Sequence, residues 1–404
     1  MTERREKQTK PGAYDSVRVV ELGALIAGPS CGKFLADHGA DVIKVERFPL
    51  GDISRYSKRT SAMRSPMFLQ HNAGKRSLCV DIKQPEGLDI VRQLIAKADV
   101  VIQAFTPGTM ERLGLGYEAL KETNPGVILC SISGFGQTGR NAKRPGYAHL
   151  SHSMTGWLGM QFLHRDPPEL PRGPGIAIAD TTTGLTAFGA IGAALYRKAM
   201  TGEGDHIDIA LFDSLYGSND SSLQTYLTTG EIDVWYHPVH ATKNGYVTAL
   251  AGPDHGSWQR TCVAMGKPDL AEDPRFRDQQ SLTAHLDDAA KIMQSWLAAT
   301  SSEEAERLLT GNHVPCGIVL TVDKAVRQPQ VADRNLIVTV DDPLLGAHEQ
   351  VNSAFKYENV ASGVRGPAPM LGQHNAEVLR QELGYDDDRI TRLNTTAVLR
   401  QERI

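Results

Sequence analysis

Residues 17–46 read VRVVELGALIAGPSCGKFLADHGADVIKVE. Apolar runs of strand length stand at each end, and between them lie a turn punctuated by glycine and proline and a short helical segment. That is one βαβ unit. The alternation continues downstream. SLCVDI reads as a strand, and PEGLDIVRQLIAKAD as an amphipathic helix with Leu88, Val91, Leu94 and Ile95 on one face. VVIQAF is a further strand, TMERLGLGYEALKETNP a helix and GVILCSISGFG a strand. Helices alternating with buried-looking strands through the first 135 residues predict an α/β fold with a parallel sheet and crossover helices.

A long helix is expected over residues 181–200. Leu185, Phe188, Ile191 and Leu195 recur at helical spacing, Arg197 and Lys198 fall in the last turn, and Gly202 follows it. From about residue 225 the texture changes to TTGEIDVWYHPVH and KNGYVTALAGPDHGSW, then to helix-like stretches. A smaller α+β domain over 225–325 is expected there, leaving 1–224 and 326–404 as the larger one. The tail segments HVPCGIVLTV and RNLIVTVDDPLLG read as strands that rejoin the first sheet system.

Composition narrows the function. The 404 residues carry 43 Lys and Arg against 47 Asp and Glu, a formal charge of −4, with no dense basic stripe, so nucleic acid is not an expected partner. Cysteines at 31, 79, 130, 262 and 316 show no CxxC spacing, which offers neither a disulfide framework nor a zinc site and suits a reducing cytoplasm. The opening MTERREKQTKPGAYDS lacks the apolar stretch of a signal peptide. The most apolar segment, LTAFGAIGAALY, is too short to span a bilayer.

Several residues could carry chemistry. Gly23, Gly28 and Gly32 lie near a helix N-terminus, where backbone N–H groups can hold phosphate, but they do not spell GxGxxG. Glu46 ends the second strand, about where a dinucleotide-binding acid would stand, so an NAD-dependent dehydrogenase is one alternative. Arg47, Lys75, Arg76, Lys83 and Arg112 recur at the ends of predicted strands and starts of helices. They could clamp a polyanionic small molecule or be solvated surface charge. Asp180 closes the run GIAIAD at the mouth of the long helix. It suits an N-cap, and a carboxylate at a helix N-terminus can also be a nucleophile. His149 and His152, like His237 and His240, lie three apart but lack supporting ligands, so no metal site is expected. No GxxxxGK[ST] loop occurs.

The ordered motifs VVELGALIAGPSCGKFLADHGADVIKVER, NAGKRSLCVDIKQPEG, PGTMERLGLGYEAL, CSISGFGQTG, GIAIADTTTGLTAFGAIGAALYRKAMTGEGDHIDIALFDS and APMLGQHNAEVLRQELGY resemble family III CoA-transferases. That family includes formyl-CoA, carnitine and glutarate CoA-transferases and the 2-methylacyl-CoA racemase. The resemblance covers almost the whole chain. It implies an interlocked, ring-like homodimer, each subunit with a Rossmann-like large domain built from both chain ends and a smaller inserted domain. It also implies that CoA moves between small organic acids, with acyl-CoA and carboxylate as substrates and no prosthetic group. In the family, the aspartate matching Asp180 attacks the thioester, forming an acyl-aspartyl anhydride and then an aspartyl-CoA thioester. The matching CoA contacts are Ile26, Ala27, Arg47, Val80, Asp81, Ile82, Lys83, Ala104, Phe105, Thr106, Arg112, Pro145, Gly146, Tyr147 and Ala148. Arg47, Lys83 and Arg112 are the phosphate candidates.

The departures from the family pattern bear on substrate. Ile26 stands where formyl-CoA transferases carry glutamine, and their active-site glycine run has no counterpart around 232–245, which argues against formate–oxalate exchange. Many relatives read GYD or GYE at Gly146, Tyr147 and Ala148, so an acidic contact is missing, with His149 as a candidate replacement. The racemase alternative needs a histidine base in a GHD motif. Tyr147 stands there instead, a poor base with an intrinsic pKa of about 10, which would leave His149 as a displaced one. Acyl selectivity is expected in loops around 147–170 and 232–256, the latter containing Trp235, Tyr236 and His237.

Overall fold

Six parallel strands form the central sheet of the computed structural model, which describes residues 10–161, 175–219, 221–232, 239–250 and 254–402. They are β1 (Arg18–Leu22), β2 (Asp41–Arg47), β3 (Arg76–Val80), β4 (Val100–Gln103), β5 (Ile128–Ser133) and β6 (Asp205–Ala210), in the order β3-β2-β1-β4-β5-β6. Val20 pairs with Ile43 on one side and Val101 on the other, so β1 is the centre from which the chain builds in both directions. This is a Rossmann-like order, and it opens a crevice at the carboxyl ends of β1 and β4.

Alternate residues of each strand feed two cores. Val20, Ile43, Leu78, Val101 and Leu129 pack with α3 (Pro85–Ala96), α5 (Tyr117–Thr123) and the helices Asn375–Leu383 and Asp387–Thr395. Val19, Val42, Val100, Ile128 and Cys130 pack on the other face with α1 (Ala27–Asp37) and α8 (Ile178–Thr201). Both faces are covered, which is why these strands read as nearly continuous apolar runs. Between them lie α2 (Pro66–Asn72), α4 (Thr109–Arg112), α6 (Ala148–Met154) and α7 (Trp157–Met160). The single helix expected after β4 is two, interrupted at Gly114 with a φ of 67°.

The helix α8 differs from expectation at its start and on its buried face. It begins at Ile178 with Ala177 as N-cap, so Asp180 is its third residue and not the cap. Its buried face is Ala179, Thr183, Gly184, Ala187, Ile191 and Ala194, while Leu185 is 47% exposed. The reason is a close helix crossing, since a Cβ on Gly184 would lie 2.7 Å from Ser30 Cβ and 3.1 Å from the Ala27 carbonyl of α1. Small residues permit that approach and Leu185 is turned out, while Ile191 is buried and Phe188 and Leu195 pack against the same core. The far end stops as expected, with Lys198 in the last turn and Gly202 left-handed at a φ of 78°.

The chain forms two compact units, Met1–Gln224 with Arg334–Ile404, and Thr225–Asp333. The second holds an antiparallel sheet of β7 (Val239–Ala241), β8 (Tyr246–Ala249) and β9 (Cys316–Ile318), with Trp258 and Phe276 at 5.0 Å in one of its cores. The tail strands therefore do not rejoin the large sheet. β9 belongs to this small sheet, while β10 (Ile337–Asp342) and β11 (Gly346–Val351) pair only with each other. The last described residues return to the large sheet by another route. Asp81 N–H donates to the Val398 carbonyl at 2.9 Å, Arg400 N–H to the Cys79 carbonyl at 3.1 Å, and Val80 bridges Leu399.

Candidate active site

A cavity of about 490 Å³ opens at the carboxyl ends of β1, β2, β3 and β4. Its wall includes Gly23 and Ala24 after β1, Arg47, Phe48, Asp52 and Ile53 at and after β2, and Val80, Asp81, Ile82 and Lys83 at and after β3. Phe105, Thr109 and Leu113 complete it after β4. Six of the residues expected to contact CoA thus line one space: Arg47, Val80, Asp81, Ile82, Lys83 and Phe105. Arg47 and Lys83 are exposed and have no ion-pair partner among the described residues, so their charge is available to an anion. Arg112 lies on α4, where its Nη2 donates to the hydroxyl of the wall residue Thr109 at 2.7 Å.

Other expected contacts are placed differently. Ile26 is the N-cap of α1, its carbonyl accepting from Ser30 N–H at 2.7 Å, and Ala27 is buried behind it. Ala104 and Thr106 flank Phe105 and are exposed but are not part of the wall. The Pro145–Ala148 turn leads into α6, with Tyr147 53% exposed and Ala148 buried. Phe48, Ile53, Thr109 and Leu113 were missed. Phe48 directly follows Arg47 past a strand end, a position the strand-edge argument covers, whereas Thr109 and Leu113 depend on α4 turning back over the crevice.

Two of the cations expected at this edge are elsewhere. Arg76 begins β3, so it stands at the opposite, amino edge of the parallel sheet, paired with Asp41 and, at 2.8 Å, with Glu382. Lys75 is buried under α1, its Nζ donating to Glu21 at 2.6 Å, the Pro29 carbonyl at 2.8 Å and Asn72 at 3.0 Å. Burial, only partly offset by Glu21, lowers its pKa to about 8.

Lys75 belongs to a buried charge cluster beneath the crevice floor. Lys44 pairs with Glu21 at 2.8 Å and Asp52 at 2.9 Å, and Arg55 with Glu46 at 2.6 Å. Burial opposes the charge on Asp52, but Lys44 and the N–H groups of Ser54 and Leu25 outweigh it and hold its pKa near 2. The Leu25 N–H comes from a non-glycine residue at a φ of 66°, so Asp52 helps hold the left-handed turn between β1 and α1. Glu46 is fully engaged. Its oxygens accept from Arg55 Nε and Nη2, Ser77 Oγ and Asp52 N–H. The acid that would meet a dinucleotide ribose is therefore committed within the protein.

Asp180 lies in the first turn of α8, half-buried, with no hydrogen-bond or ion-pair partner among the described residues. Burial raises its pKa to about 6, against the direction in which the helix N-terminus acts. A carboxylate made more basic in this way would be a better nucleophile than an ordinary one. The adjacent Ala179 N–H donates to Nε2 of His152 at 3.2 Å. His149 is exposed and stacks on Tyr147 with ring centroids 5.9 Å apart, so the two histidines of α6 face different surroundings. Nδ1 of His240 meets Gln294 Oε1 at 3.0 Å. Trp235, Tyr236 and His237, with parts of both expected selectivity loops, lie outside the described residues. Among the described residues no group of three or more His, Cys, Asp or Glu could hold a metal ion, and no helix is long and apolar enough to cross a membrane.

Comparison with known proteins agrees over almost the full length. The model of CoA-transferase family III matches residues 14–375. The chain is 31% identical to succinyl-CoA–D-citramalate CoA-transferase of Chloroflexus aurantiacus, covering 97% of this chain and 99% of that one. It is 31% identical to human succinyl-CoA:glutarate CoA-transferase, covering 96% and 90%. Among solved structures, a CaiB/BaiF family protein from Brucella suis superposes with a TM-score of 0.81 at 31% identity, covering 92% of this chain and 100% of that one.

Proposed function

This chain belongs to CoA-transferase family III, and from that membership we propose that it exchanges CoA between small dicarboxylic acids, with Asp180 as the covalent nucleophile. The relatives named above act on succinyl-CoA with citramalate or glutarate, which makes succinyl-CoA the first donor to try. The observation that carries the reading is the state of Asp180: an unpartnered, half-buried carboxylate at a helix start, with a pKa raised to about 6.

The chemistry is two pairs of acyl substitutions. A carboxylate oxygen of Asp180 attacks the donor thioester carbonyl, the C–S bond breaks, and CoA leaves as thiolate, giving a mixed anhydride. The thiolate then attacks the aspartyl carbonyl of that anhydride, releasing the donor acid and leaving an Asp180–CoA thioester. The acceptor carboxylate attacks this thioester and frees the thiolate again, which takes the acceptor acyl group and restores Asp180. No proton is gained or lost, and the overall exchange replaces one thioester by another of similar energy while covalent catalysis divides it into smaller steps.

In this reading the unit formed by Met1–Gln224 and Arg334–Ile404 binds CoA. The crevice holds the nucleotide end, with Arg47 and Lys83 on its phosphates, and binding energy gained there holds the thioester against Asp180. Ile26, Ala104, Thr106 and the exposed part of the Pro145–Ala148 turn would meet the pantetheine arm, with Ala27 and Ala148 buried behind them. An interlocked homodimer working in the cytoplasm completes the proposal, and light scattering after gel filtration tests the dimer. The deciding experiment crosses acyl-CoA donors with dicarboxylate acceptors and traps the enzyme mid-turnover. A CoA adduct at Asp180 and loss of exchange in Asp180→Ala are expected, and brisk exchange by Asp180→Ala refutes the assignment.

A further inference from the structure

We propose that His152 is a positioning residue for Asp180: its imidazole takes the place of an N-cap side chain and fixes the helix turn on which the carboxylate rides. The proposal rests on Asp180 being the nucleophile.

The first turn of a helix has N–H groups without intrahelical partners, and a Ser, Thr, Asp or Asn side chain normally satisfies one of them. Here the N-cap is Ala177, which has no side-chain acceptor to offer. An acid at the third helical position can reach back to the N-cap in a capping box, but Asp180 makes no such bond. The acceptor comes instead from another helix. His152 of α6 is only 3% exposed, and its Nε2 accepts the Ala179 N–H at 3.2 Å. A nitrogen that accepts carries no proton, so the ring is neutral with its hydrogen on Nδ1. Burial, and then neighbouring His149, lower its pKa and favour that neutral form. Trp157 packs on the ring at 5.2 Å and limits its rotation.

This arrangement has two effects. The helix is capped without using a carboxylate, so both oxygens of Asp180 stay available to a thioester. It also makes α6 a two-ended clamp: its first turn carries the Tyr147–Ala148 segment expected to meet acyl-CoA, and its last turn holds the nucleophile helix. Orientation errors of an ångström at a nucleophile cost rates by orders of magnitude, so this bond should be visible in turnover.

The test compares His152→Phe, His152→Gln and Asp180→Ala in the full chain, assayed with succinyl-CoA and glutarate. His152→Phe should lower kcat about ten- to a hundredfold with KM for succinyl-CoA within about threefold, because substrate still binds. His152→Gln, whose amide oxygen can accept the same N–H, should stay within about threefold of the parent kcat. Hydrogen exchange gives a readout that needs no activity: the peptide spanning 177–184 should take up deuterium faster in His152→Phe but not in His152→Gln. If His152→Phe does not fold, His152→Ala replaces it with the same expectations. Parent-like kcat and exchange in the Phe or Ala variant overturn the proposal, as does a Gln variant as slow as Phe. Undiminished turnover in Asp180→Ala instead removes the premise, and the two failures are distinguishable.

Discussion

The backbones of Gly134 and Gly146 meet so closely that a Cβ on Gly146 would lie 2.3 Å from the Gly134 Cα. Gly134 follows the end of β5 and Gly146 sits in the turn that starts α6, so this contact pins the turn to the carboxyl edge of the sheet. Gly146→Ala should displace the turn, with a stability loss of about 1–3 kcal/mol and a KM for acyl-CoA raised several-fold. Steady-state kinetics with urea denaturation checks both.

Asp180 should set an acid limb on activity. Its folded pKa of about 6 lies above its unfolded value, and the proposed attack needs the ionised form, so kcat/KM for acyl-CoA should fall as pH drops through about 6. Stability follows the opposite course. The raised pKa adds stability that is complete below the unfolded value and lost as pH rises through about 6. Asp180→Asn should therefore melt higher than the parent at pH 7.5 and not at pH 4. Thermal melts at the two pH values decide this.

The two edges of the sheet should differ in their response to charge removal. Arg47→Ala and Lys83→Ala, at the crevice, should each raise KM for acyl-CoA several-fold with little change in kcat, and should weaken its salt dependence. Arg76→Ala, at the amino edge and paired with Asp41 and Glu382, should leave KM unchanged. Titrating KM against ionic strength for the three variants makes the comparison.

The buried cluster should be intolerant of partial removal. Lys44→Met leaves Glu21 and Asp52 without their shared cation in a fully buried site, at a cost of about 3–5 kcal/mol. Denaturant unfolding measures this. The same change should loosen the Leu25 turn that Asp52 holds, and so weaken acyl-CoA binding in whatever folded fraction remains.

What could be read from the sequence was periodic. Strands covered on both faces give unbroken apolar runs, so β1 to β5 and their order of alternation were legible from residues 17–135. The buried face of α8 was legible only in part: Phe188, Ile191 and Leu195 face the core as their spacing suggests, whereas a close crossing selects Gly184 and Ala187 and expels Leu185. The strand β6, DHIDIA, stands at a sheet edge with Asp205 and Asp208 exposed, so it lacks the apolar run that marks the inner strands. Glu21, Lys44 and Lys75 were invisible as a cluster, since pattern reading treats charge as solvated and pairing across 54 residues leaves no local trace. Asp180 was picked out by its position before an apolar helix. His152 was noticed only for its spacing from His149, and its bond to Ala179 is a fact of tertiary packing.

Val80 and Asp81, on the wall of the crevice, are laced to Leu399 and Val398, more than 300 positions further on. A ribosome making this chain from its amino end will release β1 to β4 long before that lacing strand emerges. The nascent crevice must therefore wait, one side unfastened, until residues 398–400 have left the ribosome, and a message truncated shortly before residue 398 would yield a protein with every residue of the crevice wall and an unsealed crevice.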